Sequence, residues 1–156
     1  MLDRFFPTII GFYDNPNHDL FEKKVTNRCL ELEKSIEKGG DNWLSKSTYN
    51  TIGTYSIWND EIFKGVNEFV FKSVQEYLQD LKIKQSCLEQ NPCDAWFNLY
   101  KEGDYQEYHI HGGCLISAVY FLKTSENSAK IHFKSPVVDM LHPEFEEYNS
   151  DTYERI

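Results

Sequence analysis

Arginine is nearly missing from this chain: only Arg4, Arg28 and Arg155 are present, and the net charge is −9. A field of that sign repels phosphate backbones and anionic membrane surfaces, and no local basic patch offsets it, so nucleic acid is excluded as an expected partner. No apolar run approaches the length a bilayer span needs, and the opening residues resemble neither a signal peptide nor an anchor, so no membrane partner is expected. Cysteine is sparse and scattered: Cys29, Cys87, Cys93 and Cys114 form no CxxC pair. We read them as reduced thiols, mostly buried, in a cytoplasmic protein. Internal repeats and low-complexity tracts are absent too, which argues against solenoids and disordered arrays.

What is present suits one globular domain over 1–156. Of the 156 residues, 40% are hydrophobic and 15% aromatic, enough to build a single sizeable core. Residues 5–13, FFPTIIGFY, read as a short opening strand whose Pro7 marks an edge or a start. After the turn cluster Asp14 to Asn17, apolar residues at Phe21, Val25, Cys29, Leu32 and Ile36 recur at helical spacing until Gly39-Gly40. A second helix is expected from an N-cap at Asn59, with a wide stripe from Ile62 to Leu81 that packs on a sheet. Beyond residue 91 the period changes. Asp94 to Tyr100 and Leu115 to Leu122 read as strands, the latter so continuously apolar that both faces should be covered, and 130–134 alternates as another. Helices first and strands later predict an α+β class, with 1–90 carrying the opening strand and two supporting helices, 91–136 the core strands, and 137–156 a loop-like tail.

The chemistry is concentrated at His109 and His111. In an extended segment residues two apart project to the same side, so both imidazoles can reach one ion, and Gly112-Gly113 permit the chain to bend sharply just after. Two surface histidines near a loop are common, so spacing alone leaves metal binding and a merely polar role both open.

The wider pattern resembles a known family. Tyr100-x-x-Gly103-x-x-Gln106-x-x-His109-x-His111, followed by Ser117 to Leu122, is similar to the core of the 2-oxoglutarate- and Fe(II)-dependent oxygenases. Their prolyl-hydroxylase-like branch has Tyr, Gly, Tyr, His and Asp at these spacings. A less characterised group frequent in phage genomes shares the Phe-Pro-Thr opening, Trp-x-Asn-x-Tyr and His-x-His, which Phe6 to Thr8, Trp96 to Tyr100 and His109 to His111 match.

The resemblance implies a double-stranded β-helix, a jelly-roll or cupin-like barrel with the two helices outside one sheet and iron at its mouth. It implies Fe(II) as cofactor, held by His109 and His111, and 2-oxoglutarate as cosubstrate, with Tyr100 where relatives hydrogen-bond the oxo-acid. Asn98, Gln106, Ser117 and Phe121 are further candidates for the cosubstrate pocket, Ser117, Val119 and Phe121 sharing the face expected to look into the barrel. His111 stands where most relatives have Asp, which removes one negative charge and makes another first-row metal plausible. Phe121 replaces a tyrosine and Gln106 an aromatic ring.

After Phe133 the familiar third histidine and basic oxo-acid partner are not evident, since His142 precedes a proline and Arg155 is followed by a single residue. The barrel is therefore expected to be incomplete, the chain being a fragment, part of a longer product, or no longer catalytic. His132 or His142 can substitute as third ligand. Three readings follow: an oxygenase hydroxylating a small molecule or a protein side chain, a non-catalytic binding module on the same fold, and a metal-dependent cupin-like protein that needs no oxo-acid. Glu102, Asp104 and Glu107 make the approach acidic, which favours a neutral or cationic substrate, a solvated loop being the simpler account.

Overall fold

The computed structural model describes residues 8–40, 43–84, 94–134 and 154–155. They belong to two compact units, one spanning Tyr13–Lys123 and the other combining Met1–Phe12 with Thr124–Ile156.

In the larger unit the first expected helix is α1, His18–Ser35, which buries Val25, Cys29 and Leu32 along one stripe. Its start is prepared by Asn15, whose side chain accepts from the Asn17 N–H and whose carbonyl accepts from the His18 N–H. The helix ends at Ser35, before the two glycines, with Ile36 already extended. The glycines serve a close approach instead. The Gly39 N–H donates to the Asn50 carbonyl at 2.9 Å, and a Cβ on Gly39 would lie 2.0 Å from the Ile52 carbonyl oxygen.

Helix α2 runs over Lys64–Asp80, later than the Asn59 cap expected from the sequence. Residues Ile57–Asn59 form a 3-10 turn, the N-cap position of α2 is Phe63 with no side-chain cap hydrogen bond, and Asp60 organises the turn between them. One carboxylate oxygen of Asp60 accepts from the Ile62 N–H at 2.9 Å; the other accepts from Arg28 Nε and from the Tyr55 hydroxyl, each at 2.7 Å. Asp60 thus joins α1 to the loop and to the turn that precedes α2. Burial works to raise the Asp60 carboxyl, but donation from Tyr55, Arg28 and the Ile62 N–H outweighs it and holds it below the usual carboxylate range.

Strands β1, Tyr49–Asn50, and β2, Asn98–Leu99, pair antiparallel with Tyr49 opposite Leu99 and Asn50 opposite Asn98. The pairing extends past the ladder through Thr51 N–H to the Phe97 carbonyl (3.3 Å), Phe97 N–H to Thr51 Oγ1 (3.3 Å) and Ile57 N–H to the Ala95 carbonyl (3.2 Å). Phe63 and Val66 close with the α1 stripe into one core, against which Phe97, Leu99, Tyr120 and Leu122 pack. Burial of Cys29 in this core pushes its thiol up to about 12, so it is an inert neutral group, as expected of a buried cysteine. Cys29 and Cys114 are free thiols, the latter exposed, and Cys87 and Cys93 lie outside the described residues.

Strand formation is sparser than the apolar pattern predicts. Of Asp94 to Tyr100 only Asn98–Leu99 enters a ladder, and 115–122 carries no regular structure and has no partner strand among the described residues. Tyr120 and Leu122 face the core, whereas Leu115, Val119 and Phe121 are 66%, 65% and 55% exposed. The segment expected to be covered on both faces is covered on one, because the helices pack against a single side of it. Of the expected opening strand, 8–13 carries no regular structure and 5–7 lies outside the described residues.

In the smaller unit β3, Phe133–Lys134, pairs antiparallel with β4, Glu154–Arg155, in the register Phe133 opposite Arg155. The tail read as loop-like thus contains a strand; the pairing is long-range and leaves no local signature in 154–155. No helix among the described residues is long and apolar enough to cross a membrane, and those residues form no closed barrel.

The Asp60 cluster gives a direct test. We predict that Asp60→Asn lowers unfolding free energy by about 2 kcal/mol near neutral pH, as expected for lost charge-assisted hydrogen bonds. Because the carboxyl is depressed in the folded state, its contribution is present above the usual carboxylate range and is lost as pH falls through the folded pKa. Urea unfolding of both proteins across that range should show the gap shrinking on acidification; a gap independent of pH refutes the assignment.

Candidate functional site

The site is built on the alternation of residues 96–100. Phe97 and Leu99 point to the core, with Phe97 stacked on Phe63 at 6.1 Å between ring centroids and tilted against Tyr49 at 5.9 Å. A period of two then assigns Trp96, Asn98 and Tyr100 to the opposite side. On that side the Trp96 ring lies against the His111 ring, 5.8 Å between centroids. The contact ties the histidine segment to the strand and is carried by a residue the sequence reading used only as part of a motif.

Between strand and histidines the chain turns at Gly103, whose φ of +85° favours glycine. The turn is closed by the Asp104 N–H donating to the Lys101 carbonyl (2.9 Å) and the Lys101 N–H donating to Asp104 Oδ2 (2.8 Å). Asp104 Oδ1 accepts from the Ser47 hydroxyl and from Ser45 Oγ (3.4 Å). Glu107 continues the attachment, accepting from the Leu44 N–H at 3.2 Å through Oε1 and from Gln106 Nε2 at 3.3 Å through Oε2. Two of the three acidic residues read as an acidic approach are thus braces that fix the loop to 44–47. Hydrogen bonds from Ser47 and from the Lys101 N–H hold the Asp104 carboxyl below its ordinary range.

The loop delivers His109 and His111 side by side, their Nε2 atoms 3.2 Å apart and their rings at 69°. Ile110 between them is 92% exposed on the other side, as two-residue alternation requires. His109 Nδ1 is 2.8 Å from the Glu107 carbonyl oxygen. A carbonyl can only accept, so Nδ1 carries the hydrogen and Nε2 presents its lone pair outward in the neutral ring. The bend expected at the following glycines is there: Gly113 has φ +82°, and the Cys114 N–H donates to the His111 carbonyl at 3.4 Å.

Two imidazole nitrogens bound cis to one ion at about 2.0–2.1 Å stand about 3 Å apart, close to the separation seen here. The pair therefore fits two positions on a single cation and leaves the remaining positions open. Among the described residues no group of three or more His, Cys, Asp or Glu side chains is arranged to hold a metal.

The other candidates separate into three places. The Tyr100 hydroxyl accepts from Asn98 Nδ2 at 3.2 Å, and its ring is half exposed. Burial raises the Tyr100 phenol, the Glu107 and Asp104 carboxylates add to this, and the Asn98 hydrogen bond opposes it. Gln106 is occupied with Glu107. Ser117 and Phe121 lie with Val119 on the open side of 115–122. Tyr120 belongs to the core side, its hydroxyl 2.8 Å from His18 Nδ1 and accepting from Asn15 Nδ2 at 3.1 Å. His132 is exposed in the smaller unit, and His142 lies outside the described residues.

The brace yields a prediction: Asp104→Ala should accelerate hydrogen exchange at the Lys101 amide without unfolding the core. Since the Asp104 carboxyl is depressed, protection at Lys101 is present above the usual carboxylate range and fades as pH falls through the folded pKa, where wild type and variant converge. Equal Lys101 exchange in both proteins at neutral pH would remove the brace.

Comparison with curated proteins and with solved structures found no match. A family model described as "Putative 2OG-Fe(II) oxygenase" matches residues 94–155, a range that begins just before β2, contains both site histidines and ends on β4. Over these residues the chain is similar to the 2-oxoglutarate- and Fe(II)-dependent oxygenases.

Proposed function

We propose that this protein is a dioxygenase that hydroxylates an organic substrate, a small molecule or a protein side chain, while 2-oxoglutarate is decarboxylated to succinate. The observation that carries the reading is the pair of Nε2 atoms 3.2 Å apart, one with its lone pair set by the Glu107 carbonyl. His109 and His111 would hold Fe(II), and the bound ion supplies the activation of O₂ that no side chain can provide. Nitrogen donors of this kind also suit other first-row metals, so iron rests on the family rather than on the pair.

The remaining residues take supporting roles. Tyr100 accepts its hydrogen bond from Asn98, so its own proton is free to be donated to an acceptor such as the oxo-acid carboxylate. Gln106 steadies Glu107 and thereby the carbonyl that faces His109. Ser117 and Phe121 would line the pocket from the open side of 115–122, the interior side of a double-stranded β-helix in this reading. His132 and His142 are the other histidines of the matched range.

Anaerobic titration with Fe(II) and then 2-oxoglutarate tests this. A visible charge-transfer band should appear in the wild type, and succinate should form on admitting air. His109→Ala and His111→Ala should each weaken Fe(II) binding by more than about 100-fold, beyond what loss of an outer-shell partner causes. Metal binding without the band or succinate would sink the oxygenase reading in favour of a cupin-like protein that needs no oxo-acid, and undiminished binding by His109→Ala would remove the site.

A further inference from the structure

Asn50 is 0% exposed in β1, and its amide is only half used. Its Oδ1 accepts from the Ile52 N–H at 3.0 Å, while its Nδ2 is buried with no hydrogen-bond partner. Directly opposite in the ladder stands Asn98, whose Nδ2 donates to the Tyr100 hydroxyl and whose buried Oδ1 has no partner either. Residues directly opposed in an antiparallel pair project to the same side of the sheet. A donor without an acceptor therefore faces an acceptor without a donor.

We propose that Asn50 is a positioning residue for the Tyr100 hydroxyl, acting through the side chain of Asn98. The orientation of each amide follows from its surroundings. The Ile52 N–H needs an acceptor, which fixes Oδ1 of Asn50 and leaves Nδ2 as the free donor. Turning the Asn98 amide over would set its Nδ2 against that donor, whereas the orientation seen sets Oδ1 there and Nδ2 on Tyr100. Leaving a buried donor and a buried acceptor unmade is costly, and a small side-chain rotation or one bridging water satisfies both. Gly40, at φ +53°, lies beside the amide, where a Cβ would sit 3.4 Å from Oδ1 and 3.7 Å from Nδ2. With its amide held from behind, Asn98 can donate to Tyr100 in only one direction, and the Tyr100 proton is directed away from the strand.

The functional weight of this relay rests on the oxygenase reading; the relay itself does not, so its test begins on the metal-free protein. Tyrosine labelled with carbon-13 at Cζ, with Tyr100 assigned through Tyr100→Phe, reports the hydroxyl environment. Asn98→Ala should shift the Tyr100 resonance and raise its titration midpoint, because the lost hydrogen bond favours the phenolate. Asn50→Ala, which does not touch Tyr100, should produce changes of the same sign. A folded Asn50→Ala protein with an unmoved Tyr100 resonance overturns the proposal.

Should Asn50→Ala fail to fold, the wild type still decides: Asn50 side-chain amide protons should exchange at least about tenfold more slowly than those of exposed asparagines. Exchange at the exposed rate overturns the relay. In the Fe(II)-loaded protein, Asn50→Ala should raise KM for 2-oxoglutarate about fivefold, the scale of one hydrogen bond, with kcat nearly unchanged. A moved resonance with unchanged KM upholds the relay and removes Tyr100 from the cosubstrate site.

Discussion

The pairing of residues 95–99 alongside 49–57 is the constraint on which the site depends. It is short in ladder terms, two residues on each strand, but it is reinforced by backbone bonds at Thr51 and Ile57 and by the Thr51 hydroxyl. Its effect is to fix the phase of an alternating segment. With Phe97 and Leu99 held against the helices, Trp96, Asn98 and Tyr100 have no choice of side. A slip of one residue would turn Trp96 away from His111 and put two polar groups against Phe63.

The helices serve that phase. α1 and α2 meet through Val25, Cys29, Leu32, Phe63 and Val66, and the Asp60 carboxylate joins Arg28 of α1 to Tyr55 and to the turn that begins α2. That union provides the surface against which Phe97 and Leu99 pack. Buried polar residues do similar work beneath the strand: Thr48, Asn50 and Thr51 are each 0% exposed, and their partners include Ser45 and the backbone of Phe97 and Ile52. Such groups stabilise a fold only when paired, so their burial specifies one arrangement of the 44–52 segment rather than adding apolar area.

The site shows a division between groups that hold and groups that are presented. Asp104, Glu107, Ser45 and Ser47 hold the loop; His109 and His111 are presented by it, exposed and with one tautomer set by a main-chain carbonyl. Acidic residues near a histidine pair invite a reading as ligands or substrate attractors. Here two of them are spent on N–H and hydroxyl donors, and their charge is correspondingly directed into the protein.

The sequence by itself determined the two helices, from apolar spacing that only an amphipathic helix satisfies, and the shared side of His109 and His111, from the two-residue period of an extended chain. The likeness of 94–155 to the oxygenase family model was legible for the same reason, since motif spacing is a local property of the chain. Tertiary structure alone decided the rest. α2 begins at Lys64 rather than after Asn59, and the turn ahead of it is organised by Asp60, whose partners Arg28 and Tyr55 come from outside the helix. The single covered face of 115–122 and the pairing of 154–155 with 133–134 depend on what lies alongside, which no local pattern records. Asn50 drew no notice in the sequence because a buried amide is defined by its neighbours, and those neighbours, Gly40, Ile52 and Asn98, are brought together only by the strand pairing.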